Sequence, residues 1–241
     1  MRTKTIHFIM KVENLASLYR QGTEVAFIRK GVVFLFSSQP DICGLILAAG
    51  LSSRMGSFKP LLPLRGKTLI ENTVDSVVNG GARLVVVVTG YCGAEVEAVL
   101  RQRYGKQVLL VRNPDFAETD MLHSIQIGCR AMPNCGAFFL LPGDMPVVRQ
   151  ATFLKLLRAR PTDGPSVIFP TLGGLRKHPP LIDTGLIPEI LAFQGDGGLR
   201  QLWQQHEKWI LTVPVDDEGV RIDLDTRQEY QICRQAYEFA K

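Results

Sequence analysis

The stretch Ile42-Cys-Gly-Leu-Ile-Leu-Ala-Ala-Gly-Leu-Ser-Ser-Arg-Met-Gly-Ser-Phe-Lys-Pro60 decides the fold of this 241-residue chain. It begins as an apolar run of strand length and then breaks into a turn rich in glycine and serine. In α/β proteins, a buried strand that ends in such a turn places backbone N–H groups around a phosphate chain. Gly50 and Gly56 let the backbone approach a ligand closely, and Arg54 and Lys59 supply positive charge for phosphate oxygens. The stretch therefore predicts a binding loop for a nucleoside triphosphate.

Two better-known phosphate loops do not fit this sequence. The G-x-G-x-x-G fingerprint of dinucleotide-binding folds needs glycines closer together than Gly50 and Gly56. The tripeptide Gly66-Lys-Thr68 has the ending of a P-loop, but the position of the required first glycine is held by Leu61. Thr68 is predicted instead to cap the helix that follows it. The nucleotide is thus expected to bind through a third kind of loop.

From Ile42 onward, apolar runs of strand length alternate with amphipathic helical patterns. Such alternation predicts an α/β fold with a parallel sheet covered by helices on both faces and ligands beyond the carboxyl ends of the strands. The predicted strands are 42–47, 84–88, 108–111, 137–141, 166–170, 180–183 and 210–213. The predicted helices are 68–79, 94–103, 121–131, 185–192, 198–206 and 226–239.

Residues 1–40 differ in charge from the rest of the chain. They hold six Lys/Arg against two Asp/Glu, whereas residues 41–241 hold 22 against 21. The domain therefore lacks the basic stripe that is typical of nucleic-acid binding. An apolar patch interrupted by Arg29 and Lys30, with no small-residue cleavage site after it, does not favour a signal peptide. We expect residues 1–40 to be an N-terminal extension, disordered or derived from a non-native upstream start, and residues 41–241 to be one domain.

The cysteines and the hydropathy indicate the compartment. Five cysteines, an odd number without a C-x-x-C pair, favour reduced thiols over disulfides or a zinc site. No apolar run reaches the length of a membrane span. We therefore expect a cytoplasmic protein that uses neither membrane nor nucleic acid as a partner.

Further motifs follow the loop in a fixed order. The loop itself reads L-A-A-G-x-S-x-R-M-G-x-x-K-x-L-L-P from Leu47. The later motifs are Thr89-Gly90, Asn113-Pro114, Leu141-Pro-Gly-Asp-Met-Pro146, His178-Pro179, Gly195-Asp-x-Gly-x-Arg200 and Asp223-Leu-Asp-Thr226. Over roughly residues 42–235 this pattern resembles the MobA-like NTP transferases. The Ala48-Ala-Gly50 form is similar to their molybdenum cofactor cytidylyltransferase branch rather than to the guanylyl branch.

The resemblance implies a fold and an activity. The fold is α/β, a three-layer α/β/α Rossmann-like nucleotidyltransferase of the GT-A type with a mostly parallel mixed sheet. The activity is Mg²⁺-dependent joining of CMP from CTP to molybdopterin with release of pyrophosphate. Transient contact with a molybdenum hydroxylase or its insertion chaperone would follow. Two alternatives remain: the same chemistry with GTP, a sugar 1-phosphate or a phospho-alcohol, and a non-catalytic nucleotide- or cofactor-binding protein.

One carboxylate stands out as a metal ligand. Asp144 follows a predicted strand across a Pro-Gly turn, which places it at the ligand edge of the sheet beside the loop. A single carboxylate there suits Mg²⁺, which fills its other positions with phosphate and water, although aspartate also forms ordinary turns. The resemblance implies Asp225, or less favourably Asp223, as the second ligand. The alternative for Asp225 is a helix cap.

The remaining site residues carry roles implied by the resemblance. Lys59 and Arg54 would hold the phosphates and, with Asp144, form the catalytic set. The nucleotide-binding set is Leu47, Ala48, Ala49, Gly50, Ser52, Arg54, Lys59, Thr89, Gly90, Asn113 and Asp144. The acceptor-binding set is Ser124, His178, Asp196 and Arg200. Asp120 stands where the family usually has glycine, so the acceptor end is where this sequence departs from the pattern. Asp196 has a second interpretation, as the cap of the helix 198–206.

Overall fold

The chain divides into two units, residues 1–40 and 41–241. The computed structural model describes residues 25–29, 32–36, 42–51, 58–224 and 226–237. In the first unit, strands β1 (Val25–Arg29) and β2 (Val32–Phe36) pair antiparallel with Val25 opposite Phe36. The sequence pattern predicts no secondary structure for this unit, and its origin as an extension or upstream start stays a prediction.

The second unit contains the alternating strands and helices that the sequence predicts. Its strands are β3 (Ile42–Ala48), β4 (Pro63–Leu64), β5 (Lys67–Thr68), β6 (Leu84–Thr89), β7 (Val108–Arg112), β8 (Ala137–Pro142), β9 (Val167–Leu172), β10 (Leu175–Arg176), β11 (Leu181–Asp183) and β12 (Ile210–Pro214). Its helices are α1 (Leu69–Asn79), α2 (Gly93–Tyr104), α3 (Met121–Arg130), α4 (Gln150–Arg158), α5 (Ile187–Ala192), α6 (Gly198–Gln205) and α7 (Arg227–Tyr237). No described helix is long and apolar enough to cross a membrane.

Eight strands form one mixed sheet in the order β10-β9-β11-β8-β3-β6-β7, with β12 paired to β9. The central strands β8, β3, β6 and β7 run parallel, so their carboxyl ends share one edge. Strand β11 runs antiparallel to both β8 and β9, and β12 runs parallel to β9. The mostly parallel mixed sheet predicted from the sequence is confirmed.

Helices cover both faces of this sheet, because the strand side chains alternate between two apolar cores. On β3, Ile42 and Ile46 point to one core, which α1, α2 and α4 cover. Cys43 and Leu45 point to the other, which α3, α5 and α6 cover. Burying both faces is what gives these strands their nearly continuous apolar sequences. The three-layer arrangement is confirmed.

The helices α1 and α4 differ in how far along the sequence their capping side chains lie from the helix start. At α1 the predicted cap is confirmed: Thr68 forms a capping box with Glu71. Helix α4 is absent from the sequence-based prediction. Its N-cap residue Arg149 provides no capping side chain, and the buried carboxylate of Asp217 accepts instead from Arg149 N at 2.8 Å and from Thr152 Oγ1 at 2.7 Å. A cap this distant leaves no local sequence signal.

A third, smaller apolar cluster joins the C-terminal helix to the segment after the loop. It contains Leu64, Leu69, Val147, Leu224, Tyr230 and Cys233. The Tyr230 hydroxyl donates to Pro63 O at 2.5 Å, and Arg65 Nε donates to Tyr237 O at 2.7 Å. These contacts fasten α7 to the β4–β5 hairpin, and Val147 ties the segment after Asp144 to the same cluster.

Candidate functional site

Apart from Lys59, the predicted nucleotide-binding residues that the structure describes lie at the ends of four neighbouring strands. Ala48 ends β3, Thr89 ends β6, Asn113 follows β7, and Asp144 follows β8. These strands are adjacent in the sheet and parallel, so the four positions share its carboxyl edge. Parallel α/β sheets bind ligands at this edge.

The turn that carries Asp144 is fastened to the end of β3. Gly143 N donates to Leu47 O at 2.8 Å, and Thr73 Oγ1 of α1 donates to Gly143 O at 3.1 Å. A side chain at Gly143 would lie 3.1 Å from Leu47 O and 3.3 Å from the Ala48 side chain. Asp144 is thereby held beside the first residues of the predicted loop.

The two catalytic candidates that the structure describes form an ion pair. Lys59 begins a single 3₁₀ turn, Lys59–Leu61, and its Nζ lies 2.6 Å from Asp144 Oδ2. Their side chains are only 10% and 16% exposed. A charged pair shielded from water this well is screened little and interacts strongly. The sequence-predicted phosphate lysine and metal carboxylate are thus in direct contact.

The other carboxylate oxygen of Asp144 has an unusual environment. Oδ1 is buried, and no hydrogen-bond partner for it lies among the described residues. A buried polar atom without a partner typically costs about 1–3 kcal/mol, and native structures leave few of them. Such an oxygen fits a cation that arrives with a ligand. No group of three or more His, Cys, Asp or Glu side chains comes together in the described part of the chain.

Three predicted site residues, Ser52, Arg54 and Asp225, lie outside the described residues. Asp223 is described and exposed. The start of α7 is capped by Thr226, which forms a capping box with Glu229 at 2.7 and 3.2 Å. The helix start therefore has its cap without an aspartate.

Asn113 and Ser124 come together, but in an internal network. The fully buried Asn113 donates through Nδ2 to Ser124 Oγ and Thr119 Oγ1, both at 3.1 Å. Its Oδ1 accepts from Asp115 N at 3.0 Å. This network links the end of β7 to α3. Its geometry is that of a scaffold between the nucleotide and acceptor ends, and direct ligand contact by either side chain stays a prediction.

Gly90 is required by packing within the protein. A Cβ at this position would lie 2.6 Å from Ala49 O and 2.7 Å from the Phe116 Cβ. The neighbouring Thr89 is fully buried, and its hydroxyl donates to Glu97 at 3.1 Å. The small residues at this strand end therefore bring β3, β6 and the segment after β7 into close contact.

His178 lies within electrostatic reach of Asp144. Burial lowers the pKa of His178 below its ordinary value, while a hydrogen bond to Leu140 and the charge of Asp144 act in the opposite direction. Its Nδ1 lies 3.4 Å from Leu140 O. Because a carbonyl oxygen can only accept, Nδ1 carries the proton in this contact. The lowered pKa favours the neutral ring, in which Nε2 is an acceptor.

The other acceptor candidates are at the surface. Asp196 and Arg200 are both exposed and flank the start of α6. Gly197 is the N-cap of this helix and no side chain caps it, so the interpretation of Asp196 as a helix cap is wrong. Asp120, which replaces the usual family glycine, caps α3 by accepting from His123 N at 2.9 Å.

Three aromatic residues at the same edge are absent from the sequence-based candidates. The Phe58 and Tyr91 rings lie 5.6 Å apart edge to face, and Tyr91 and Phe116 lie 6.2 Å apart. Tyr91 N donates to Ala49 O at 3.4 Å. The sequence held a signal for two of them, because Phe58 directly precedes Lys59 and Tyr91 directly follows Thr89-Gly90.

A family model and two relatives match most of this chain. The MobA-like NTP transferase domain matches residues 44–209. The chain is similar to the molybdenum cofactor cytidylyltransferase of Escherichia coli K12, with 29% identity over 197 residues that cover 80% of this chain and 95% of the relative. It is similar to the nicotine blue oxidoreductase of Paenarthrobacter nicotinovorans, with 30% identity over 79% of this chain and 95% of that one.

Solved structures give the same result. A nucleotidyl transferase from Methanothermobacter superimposes with a TM-score of 0.70 and 28% identity, covering 82% of this chain and 97% of its own. The Rv0371c protein of Mycobacterium tuberculosis superimposes with a TM-score of 0.66 and 26% identity, covering 81% and 97%. With the family match over most of its length, the chain belongs to the MobA-like NTP transferase family and is a nucleotidyltransferase.

Proposed function

We propose that this chain transfers CMP from CTP to molybdopterin and releases pyrophosphate. The observation that carries the proposal is the shielded Lys59–Asp144 pair with its unpartnered carboxylate oxygen, fastened beside Ala48. The Ala-Ala-Gly form of the loop supports the cytidylyl branch of the family. The similarity to the E. coli molybdenum cofactor cytidylyltransferase, over nearly the whole of that relative, supports the acceptor.

Asp144 is the residue that would hold the divalent metal ion, which we propose to be Mg²⁺. Its Oδ1 fits such an ion, and one carboxylate with phosphate and water oxygens is a usual Mg²⁺ ligand set. Asp225, or alternatively Asp223, is proposed as the second carboxylate. When bound, the ion would neutralise charge that develops on the phosphates.

The reaction needs positioned groups more than a covalent intermediate. A phosphate oxygen of the acceptor attacks the α-phosphorus of CTP in line, and the bond to the bridging oxygen breaks so that pyrophosphate leaves with the electron pair. An acceptor phosphate is already ionised at neutral pH, so no general base is required. Lys59 and Arg54 would orient and neutralise the triphosphate. Ala48, Ala49 and Gly50 would leave room for the base.

The environment of His178 sharpens its proposed role. A neutral ring with the proton on Nδ1 offers a lone pair at Nε2 rather than a positive charge. His178 would therefore accept a hydrogen bond from an N–H or O–H group of the acceptor. The anionic part of the acceptor would be bound by Lys177, which directly precedes His178, and by Arg200 of the predicted acceptor set. Arg176 is already paired with Glu207 at 2.9 Å.

The setting of the reaction follows from the same proposal. None of the five cysteines forms a disulfide, which fits the reducing cytoplasm in which CTP is made. We place the enzyme there and expect it to pass its product to a molybdenum hydroxylase or the insertion chaperone of such an enzyme.

The test is pyrophosphate release from each of the four NTPs with Mg²⁺, with and without molybdenum-loaded molybdopterin. Release with CTP only when the acceptor is present is the expected result. Release with GTP, or with a sugar 1-phosphate or phospho-alcohol as acceptor, would replace the proposed substrate while keeping the chemistry. Nucleotide-dependent thermal stabilisation without turnover would indicate a binding protein instead.

The relative named nicotine blue oxidoreductase calls for a second arm in this assay. Oxidation of NADH and NADPH is followed in the same mixtures, with and without a quinoid acceptor dye. We expect no oxidation above the protein-free rate. Oxidation that needs the protein, in the absence of pyrophosphate release, would overturn the transferase proposal for this chain.

A further inference from the structure

Phe58, Tyr91 and Phe116, called here the aromatic shelf, connect the two apolar cores at the carboxyl edge of the sheet. Phe58 packs against the core on one face, and Phe116 packs against the core on the other. The Tyr91 ring lies between them, 5.6 Å from Phe58 and 6.2 Å from Phe116. Tyr91 itself belongs to neither core and is 42% exposed. The two phenylalanines thus pack against the cores, whereas Tyr91 packs against these two rings and keeps an exposed ring surface.

Tyr91 is held in place before any ligand arrives. Its backbone N–H donates to Ala49 O, and the preceding Gly90 packs directly against Ala49 O and Phe116. The ring contacts aromatic partners at separations and angles that aromatic pairs prefer. A side chain fixed in this way loses little conformational entropy when a ligand covers it. This is the arrangement of a binding surface that is formed in advance.

The shelf stands at a defined distance from the charged centre. Two consecutive residues contact the shelf and the charged centre. The Phe58 ring contacts Tyr91 at the end of β6, and the Lys59 ammonium contacts Asp144 at the end of β8. Strand β3 lies between β6 and β8. Two strand spacings amount to about 10 Å, a span of the order of one nucleoside monophosphate. His178 contacts Leu140 of β8, on the strand farther from the shelf.

We propose that the aromatic shelf binds the face of the nucleobase, with Tyr91 as the stacking residue. The inference rests on the proposed function, since it requires a nucleotide whose phosphates lie at Lys59 and Asp144. The acceptor's own ring system could stack in the same manner, but the shelf lies on the β6–β7 side of the charged centre, whereas His178 lies on the β8 side. The shelf therefore suits the base. Stacking on an aromatic ring tolerates every base, so choice among NTPs must come from other contacts.

The test measures nucleotide binding by calorimetry in the presence of Mg²⁺. The ligands are the four NTPs and inorganic tripolyphosphate, which has the charge but no base. Tyr91→Ala is expected to weaken all four NTPs by about 5- to 150-fold, the usual range for loss of one base stack, and to leave tripolyphosphate binding unchanged. Tyr91→Phe keeps the ring and should bind NTPs within about twofold of wild type.

The matched control is Leu109→Ala. Leu109 is similarly exposed, at 40%, but stands near the amino end of β7. Its replacement should change no affinity. Thermal unfolding of each variant reports whether the domain remains folded.

Each other outcome counts against the proposal. Unchanged NTP binding by Tyr91→Ala overturns the shelf alone. So does an equal loss for tripolyphosphate, because that would mean a general disturbance of the loop. Unchanged CTP affinity with a raised KM for the acceptor would assign the ring to the acceptor. Wild-type protein that binds no NTP overturns both the shelf and the proposed function.

Discussion

Lys59 and Lys67 each form an ion pair with an aspartate. The two pairs differ in whether both carboxylate oxygens of the aspartate have partners. Lys67 Nζ lies 2.5 Å from Asp75 Oδ2, and Lys59 Nζ lies 2.6 Å from Asp144 Oδ2. In the first pair, the other oxygen of Asp75 accepts from the Tyr104 hydroxyl at 2.7 Å. In the second, Oδ1 of Asp144 is buried without a partner among the described residues.

The difference separates a structural pair from the pair that we propose to be functional. The Lys67–Asp75 pair joins β5, α1 and the end of α2, and burial together with the hydrogen bond to Asp75 raises the pKa of Tyr104 above its ordinary value. Every charged atom there has a use within the protein. At Asp144 a buried carboxylate oxygen has no partner among the described residues, and a bound cation would offset the cost of leaving it unpaired. Incomplete satisfaction, rather than charge itself, distinguishes the site.

The largest expected effect is that of Asp144→Asn. The substitution keeps the shape of the side chain but removes the charge that would hold the metal ion. We expect pyrophosphate release to fall about a thousandfold or more, since bound metal contributes several kcal/mol to such transition states. The measurement is single-turnover release at saturating CTP, and circular dichroism checks that the variant is folded. Turnover above a tenth of the wild-type rate would contradict the metal role.

Asp75→Asn makes the opposite kind of change and serves as the control for it. The pair is half-exposed, with side chains 32% and 26% accessible, so its loss is discounted for solvent screening. We expect the free energy of unfolding to fall by about 1–2 kcal/mol, because the hydrogen bonds of Lys67 and Tyr104 are weakened. Turnover at saturating substrate should stay within about twofold of wild type. Urea unfolding gives the first quantity, and a large loss of turnover would remove the contrast between the two pairs.

The smallest effect concerns His178, next to the functional pair. Burial keeps it neutral in the fold, whereas the unfolded chain takes up a proton near its ordinary pKa of about 6.5. Below that pH the unfolded state binds more protons, so stability is fully present above pH ~6.5 and is lost as the pH falls toward the lowered pKa. The slope is at most about 1.4 kcal/mol per pH unit.

His178→Gln should remove this part of the pH dependence. Urea unfolding of both proteins at several values between pH 7 and pH 5 gives the comparison. The unfolding free energy of wild type minus that of the variant should decrease as the pH falls. Parallel curves over this range would mean that the histidine is not held neutral.

The sequence predicts most of the fold because the relevant signals are local. Alternating apolar runs and helical periodicity identify the parallel strands within one or two residues of their ends. Thr68 and Glu71, which lie within four residues of each other, indicate the start of α1. Helix α4 was not predicted, because Asp217, which caps it, lies 65 and 68 residues away from its partners. A local sequence pattern does not reveal a capping residue at that distance.

The site divides in the same way. Lys59 and Asp144 were identifiable by position after a strand, and the structure brings them into contact across 85 residues of sequence. Asn113 was identifiable as a strand-end residue, but the sequence could not reveal that its side chain is used by Ser124 and Thr119. Tyr91 was not predicted as a site residue, because its aromatic contact with Phe116 comes from the end of another strand.

The hydrogen bond from Tyr230 to Pro63 affects the order in which the parts of the chain fold. These residues are 167 positions apart, so a ribosome synthesises the β4–β5 hairpin long before the helix that packs on it. Contacts of such high sequence separation form slowly, because closing a long loop costs entropy before the contact stabilises the fold. A partly made domain can therefore contain the whole β4–β5 hairpin and still lack the helix that packs on it.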